Sequence, residues 1–278
     1  MGKAIGIIAL KGGVGKTTIS TSLAADLAQR RGKRVLLVDA NYSAPNVGLH
    51  MDIVTPHKTI HEVLAGKARF LSAVHRRHGV DVVPGSYVYQ KEFYPLRLRD
   101  KVERVKHLYD FVVIDGSPSL NDEVLSTMLA SDVLFVVSTP DYPTLSCSLS
   151  AARLARQRGK PIAGIIINKV RDPAYELTLQ DIESTMDLPV VARIPDERFH
   201  VRSLYLRTPS VLYKRRSRFA REIAALSAAL TATPEPQQWW SRMFSWKERK
   251  EAVNRQLLRE KLYKSVFEER GNAESGMR

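Results

Sequence analysis

"ALKGGVGKTTIS", residues 9–20, decides the fold. It follows the apolar run "AIGIIAL" (4–10) and leads into "GKTTISTSLAADLAQRR" (15–31), so a strand-like segment, a glycine-rich loop and a helical pattern stand in the order of a phosphate-binding loop. Gly12, Gly13 and Gly15, with Val14 among them, let the backbone turn its N–H groups toward one point, and the following helix aims the positive end of its dipole there. One position departs from G-x-x-x-x-G-K-[ST]: Leu10 stands where the first glycine belongs, and Lys11 follows it. The loop therefore carries two lysines, Lys11 and Lys16.

Outward from the loop, short apolar runs recur: "RVLLVDA" (34–40), "VDVVPG" (80–85), "FVVIDG" (111–116), "DVLFVVS" (132–138), "IAGIIIN" (162–168) and "PVVARIP" (189–195). Strands apolar on both faces and separated by helix-length segments pair in parallel, which predicts an α/β fold with a doubly wound, mostly parallel sheet. Ligands in such sheets bind at the carboxyl ends of the strands, where the polar residues converge. Lys16 is placed to meet the β- and γ-phosphates of a nucleotide, and Thr18 the α-phosphate. Asp39 ends "RVLLVD" and Asp115 ends "YDFVVID". With the Thr17 hydroxyl they are the candidate Mg²⁺ ligands, Asp39 also orienting the attacking water.

Composition bounds the rest. The 278 residues are 44% hydrophobic and 26% charged, ordinary for a globular chain. The single cysteine, Cys147, excludes a disulfide framework and any metal centre needing several thiolates from this chain, and in "TLSCSLSAARLA" it reads as helix packing. His57/His61 and His75/His78 stand at helical spacing and read as solvated polar faces, since no third ligand joins them. Lysine and arginine number 43 against 29 acids, a net charge of +14 that suits an anionic surface or nucleic acid. "RFAREIAALSAAL" (218–230) has the spacing of a closing helix, and "TATPEPQQ" then breaks the pattern. The boundary falls near residue 232, giving an ATPase-type domain over 1–232 and a tail over 233–278.

"KGGVGKTT", "VLLVDANYSAPNVGL" and "YDFVVIDGSPSL" together resemble the MinD/ParA family of deviant Walker A ATPases, and residues 1–230 follow that family's order of motifs. "PNVGLHM" and "VVIDGSPSL" are similar to MinD-like proteins of archaeal type. The resemblance implies an ATP hydrolase of the P-loop fold that uses ATP and Mg²⁺ and is a homodimer when ATP is bound. In such a dimer Lys11 crosses the interface to the phosphates held by the second chain, a catalytic role shared with Lys16 and Asp39. It also implies a first switch at 41–49 with Asn46, a second at 116–120 starting at Gly116, and base recognition by Asn168 with Pro195 and Asp196 closing over the adenine. Where the family often carries a second aspartate this chain has Asn41, which points to slow hydrolysis and keeps open a nucleotide-bound scaffold.

The tail begins "QQWWSRMFSWKERK". At 100° per residue Trp239, Trp240, Met243, Phe244 and Trp246 fall on one broad face, with Arg242, Glu248 and Arg249 away from it, as on a helix lying in an anionic bilayer. It is similar to the membrane-targeting helix of MinD proteins. "EAVNRQLLREKLYKSVFEER" continues with a second amphipathic pattern that suits the membrane, the ATPase surface or a partner helix. The expectation is a cytoplasmic switch, peripheral at the inner face of the cell membrane, that positions cell-division or other machinery with a regulatory or cargo protein. The alternative is a DNA-bound partition ATPase of ParA type, for which the basic stretch 198–221 supplies phosphate contacts.

Overall fold

The apolar runs fold as the strands β1 (Lys3–Ile8), β2 (Val35–Ala40), β4 (Val80–Val83), β5 (Phe111–Gly116), β6 (Val133–Ser138), β7 (Ile162–Val170) and β8 (Val190–Pro195), with a further short strand β3 (His75–Arg77). In this computed structural model, which describes residues 2–89, 91–172, 174–231 and 250–261, they form one sheet in the order β3-β4-β2-β5-β1-β6-β7-β8. All pairs are parallel except β3 with β4. Every residue of β1 after Lys3 and of β2, β5 and β6 is buried, because helices cover both faces.

Those helices are α1 (Lys16–Gln29), α2 (Val47–His50), α3 (Ile60–Leu64), α4 (Leu98–Val105), α5 (Asp122–Ala130), α6 (Tyr142–Gln157), α7 (Leu179–Met186), α8 (Phe199–Tyr205), α9 (Ser210–Tyr213) and α10 (Arg218–Thr231). Alternate strand residues go to opposite faces. Ile5, Ile7, Leu37 and Val113 pack with Ile19 and Leu23 of α1 and Phe219 and Leu226 of α10. Leu36, Val38, Val112 and Ile114 pack on the other face with Leu98 and Val102 of α4. The α10 helix is further tied to α1 by Arg31, which donates to the Ala224 carbonyl at 2.7 Å and to Ser227 Oγ at 3.2 Å.

Three findings depart from the sequence reading or settle what it left open. The histidines at helical spacing do not lie on solvated helix faces. His75 is in strand β3, and His78 (φ 51°) with Gly79 (φ 79°) forms the two-residue turn to β4, where two left-handed residues match the twist of the strands. His61 is buried, its Nδ1 accepting from the Ser86 N–H at 3.1 Å and its Nε2 lying 3.1 Å from the Tyr42 carbonyl, so it clamps the start of the 41–49 segment. The helix over 250–261 packs back on the sheet and its covering helices: Lys250 pairs with Glu183, Asn254 Nδ2 donates to Glu183 Oε1 at 2.7 Å and to the Val190 carbonyl at 2.8 Å, and Leu258 enters the core beside α10. The stretch with Trp239, Trp240, Met243, Phe244 and Trp246 lies outside the described residues.

Candidate nucleotide site

The loop between β1 and α1 closes a cleft of about 1270 Å³ at the carboxyl ends of the strands. Gly13 (φ 77°) and Gly15 (φ 95°) hold left-handed conformations, and a Cβ on Gly15 would sit 2.3 Å from the Asn168 Nδ2 atom. The left-handed backbone therefore favours glycine at position 15, and a larger residue there would also push aside the Asn168 amide. Asn168 Nδ2 donates to the Val14 carbonyl at 2.7 Å, which fixes the loop to β7. Gly12, Gly13, Gly15, Lys16, Thr17 and Thr18 of the loop and α1, Asn168 of β7, Pro195 and Asp196 at the end of β8, and Asn41 and Asn46 all line this one cleft.

Asp39 and Asp115 occupy paired register positions on β2 and β5, both fully buried. Asp115 accepts from Thr17 Oγ1 at 2.6 Å and from Ser20 Oγ at 2.7 Å. Asp39 accepts from the backbone N–H groups of Val47 at 3.0 Å and Asn41 at 3.2 Å, so its carboxylate also shapes the 41–47 turn. Burial, and then the neighbouring Asp115, pushes Asp39 up to about 8, with the backbone N–H groups of Val47, Asn41 and Asn46 opposing. Burial raises Asp115 too, against the Thr17 and Ser20 hydroxyls and Lys16. Lys16 is lowered by burial, opposed by Asp115. Two buried carboxylates beside the Thr17 and Ser20 hydroxyls, facing the buried Lys16 ammonium, are a donor set suited to a hard divalent cation.

At the far wall the cleft is lined by His50 on α2, His200 on α8 and Phe219 on α10. Burial, helped by His200, holds His50 down to about 4, so this wall presents a neutral ring at ordinary pH. Across the mouth Arg171 Nε donates to Asp196 Oδ2 at 2.7 Å, and the Asp196 N–H bonds the Val170 carbonyl at 2.9 Å, joining the loops after β7 and β8. Sequence reasoning missed His50, His200, Arg171 and Ser20. Only Ser20 carried a signal, one helical turn after Thr17; the others converge from separate elements.

Lys11 stands outside the cleft lining. Its Nζ donates to Thr144 Oγ1 at 2.8 Å and lies 3.6 Å from Asp141 Oδ1, both on the N-terminal turn of α6 that Asp141 caps. Gly116, at the end of β5, packs so closely that a Cβ there would sit 2.8 Å from the Ile7 carbonyl. The 116–120 segment thus leaves the sheet at a point of direct backbone contact with β1.

A family model described as an AAA domain matches residues 2–149. An ATP-binding protein of Methanocaldococcus jannaschii is 31% identical over 233 residues, 83% of this chain and 88% of the relative. The structure is similar to that of the cell division ATPase MinD of Pyrococcus furiosus, with a TM-score of 0.79 at 27% identity over 84% of this chain and 100% of that one. It is equally similar to the septum site-determining protein MinD of Pyrococcus horikoshii, solved with Mg-ADP, at a TM-score of 0.79 and 25% identity over 89% and 100% of the two chains.

Proposed function

The chain belongs to the MinD/ParA family of deviant Walker A ATPases, and from that membership we propose that it is an ATP-driven switch: it binds Mg–ATP, pairs with a second copy in that state, hydrolyses ATP to ADP and phosphate, and attaches reversibly to anionic membrane to position cell machinery. The observation that carries this reading is the convergence of Lys16, Thr17, Asp39 and Asp115 beneath a loop whose second lysine, Lys11, lies outside the cleft of its own chain.

The loop N–H groups and Lys16 bind the phosphates, and Asn168, Pro195 and Asp196 orient the base. Thr17, Asp39 and Asp115 would hold Mg²⁺, which when bound neutralises phosphate charge and favours displacement at the γ-phosphorus. Asp39 orients the attacking water; its backbone donors, the Asn41, Asn46 and Val47 N–H groups, couple that position to the 41–49 segment. Four phosphate charges exceed what one loop lysine, one cation and a helix dipole offset, so Lys11 from a second copy favours ATP over ADP in the dimer. The intramolecular Asp141–Thr144 seat competes for Lys11 until a second chain's phosphates draw it across.

Lys11→Ala is expected to leave ATP affinity close to the parent's while keeping the protein monomeric with Mg–ATP in sedimentation velocity. A dimer formed at the parent's concentration would sink the trans role. The exposed arginines of α8 and the segment after it support the DNA-bound reading instead. Flotation with vesicles against retention on DNA, each with and without residues 233–278, separates the two.

A further inference from the structure

At the opposite end of the sheet from the nucleotide cleft, the starts of β1, β2 and β5 surround a small cavity of about 260 Å³ lined by Lys33, Arg34, His107 and Asp110, with Leu230 and Thr231 at the end of α10. The basic run 30–34 ("RRGKR") divides here. Arg30 pairs with Asp26 at 2.8 Å, and Arg31 bonds α10, so both serve the fold. The Lys33 and His107 side chains have no hydrogen-bond or ion-pair partner among the described residues. Arg34 has only a 3.6 Å pairing to Asp110 and remains 67% exposed. Lys33 and His107, with no acid of their own to match them, stand beside the Arg34–Asp110 pair around a concavity and suit the phosphate group of an anionic headgroup.

The chain path gives this cavity its partner. Residue 231 is at its rim, and the polypeptide returns at Lys250, which pairs with Glu183 beside the start of β8, while Asn254 bonds the first residue of that strand. The starts of β1 and β8 are three strand spacings apart, roughly 14 Å, on the same end of one sheet. The described chain therefore leaves at residue 231 and re-enters at Lys250 on the end of the sheet that carries Lys33 and His107. We infer that this foot of the domain, centred on Lys33 with Arg34 and His107, is a second membrane contact that receives the phosphate of an anionic phospholipid. The inference rests on the membrane reading of the tail and adds to it a contact made by the folded domain.

The test uses the full chain with Mg–ATP and phosphatidylcholine vesicles carrying phosphatidylglycerol, read by flotation. Lys33→Glu is expected to lower vesicle affinity roughly twentyfold, because each cation near an anionic surface contributes a factor of about five and the substitution changes two charge units. Lys33→Arg should keep the affinity, and ATP binding and thermal midpoint should match the parent in both. Flotation unchanged by Lys33→Glu overturns the inference; if Trp239→Ala with Trp240→Ala abolishes flotation in the same series, the membrane reading stands without the foot. Loss with Lys33→Glu but not with the tryptophan variant supports the foot and removes the aromatic stretch from the reading. Saturation of the His107 imidazole signals by inorganic phosphate, with vesicle binding equal in parent and Lys33→Glu, makes this a free-anion site and overturns the headgroup. Retention on DNA falling in Lys33→Glu while flotation holds overturns it in favour of nucleic acid, and a parent that does not float overturns both readings.

Discussion

Asp39 and Asp115 lie opposite one another on neighbouring strands, fully buried, and this sets the titration of the nucleotide-free protein. With Asp39 pushed up to about 8, the folded chain binds more protons at this pair than the unfolded chain does, from the ordinary carboxylate range up to that value. Stability is therefore present at low pH within this window and is lost as pH rises through it, by up to about 1.4 kcal/mol per pH unit for one whole proton. Asp39→Asn is expected to flatten that slope in denaturant titrations run without Mg²⁺ between about pH 5 and about pH 8; a parent whose slope matches the variant's would refute it. Thr17 beside Asp115 was legible, since a loop threonine and a strand-end aspartate each carry a known pattern. The Lys11 seat was not, because Asp141 and Thr144 read as nothing more than a helix cap until α6 is placed beside the loop.

β8 ends the sheet, and an edge strand needs its unpaired groups answered. Side chains do this here: Glu183 accepts from the Val190 N–H at 2.9 Å, Asn254 donates to the Val190 carbonyl at 2.8 Å, and Arg255 donates to the Val191 carbonyl at 3.1 Å and to Glu222 at 3.0 Å. The 250–261 helix thus stands in for a ninth strand, and Leu258, 5% exposed, supplies its apolar anchor. Leu258→Ala is expected to cost about 2 kcal/mol in denaturant unfolding and to speed amide exchange at Val190. Leu257→Ala on the same helix, where the side chain is 50% exposed, should stay within about 0.5 kcal/mol. Equal effects would show that the helix does not dock. β3 is the other edge, kept to three residues of histidine and arginine, a composition that hides a strand from any search for apolar alternation.

Across the whole molecule the cleft draws on both halves of the sheet: loop, β2 and β5 on one side of β1, β7 and β8 on the other. A ligand that touches both should stabilise the fold as one unit. With ATP at about one hundred times its dissociation constant the gain is about 2.7 kcal/mol, or roughly 5–10 °C in thermal midpoint for a domain of this size. Asn168→Ala, which removes the bond from β7 to the loop, is expected to shrink that Mg–ATP shift in calorimetry far more than it lowers the midpoint without nucleotide. A full shift in the variant would show that the two halves bind independently.

The sequence by itself determined the strand runs, the parallel sheet, the phosphate loop and the two strand-end aspartates. Each of these is set by local patterning, glycine freedom or residue type over a few neighbouring positions. The tertiary structure alone decided the seat of Lys11, the burial of His61, the neutral wall of His50 and His200, the docking of the 250–261 helix and the basic foot. Those features join residues far apart in the chain, and contact at such separation is fixed by how the helices cover the sheet, which no local pattern records.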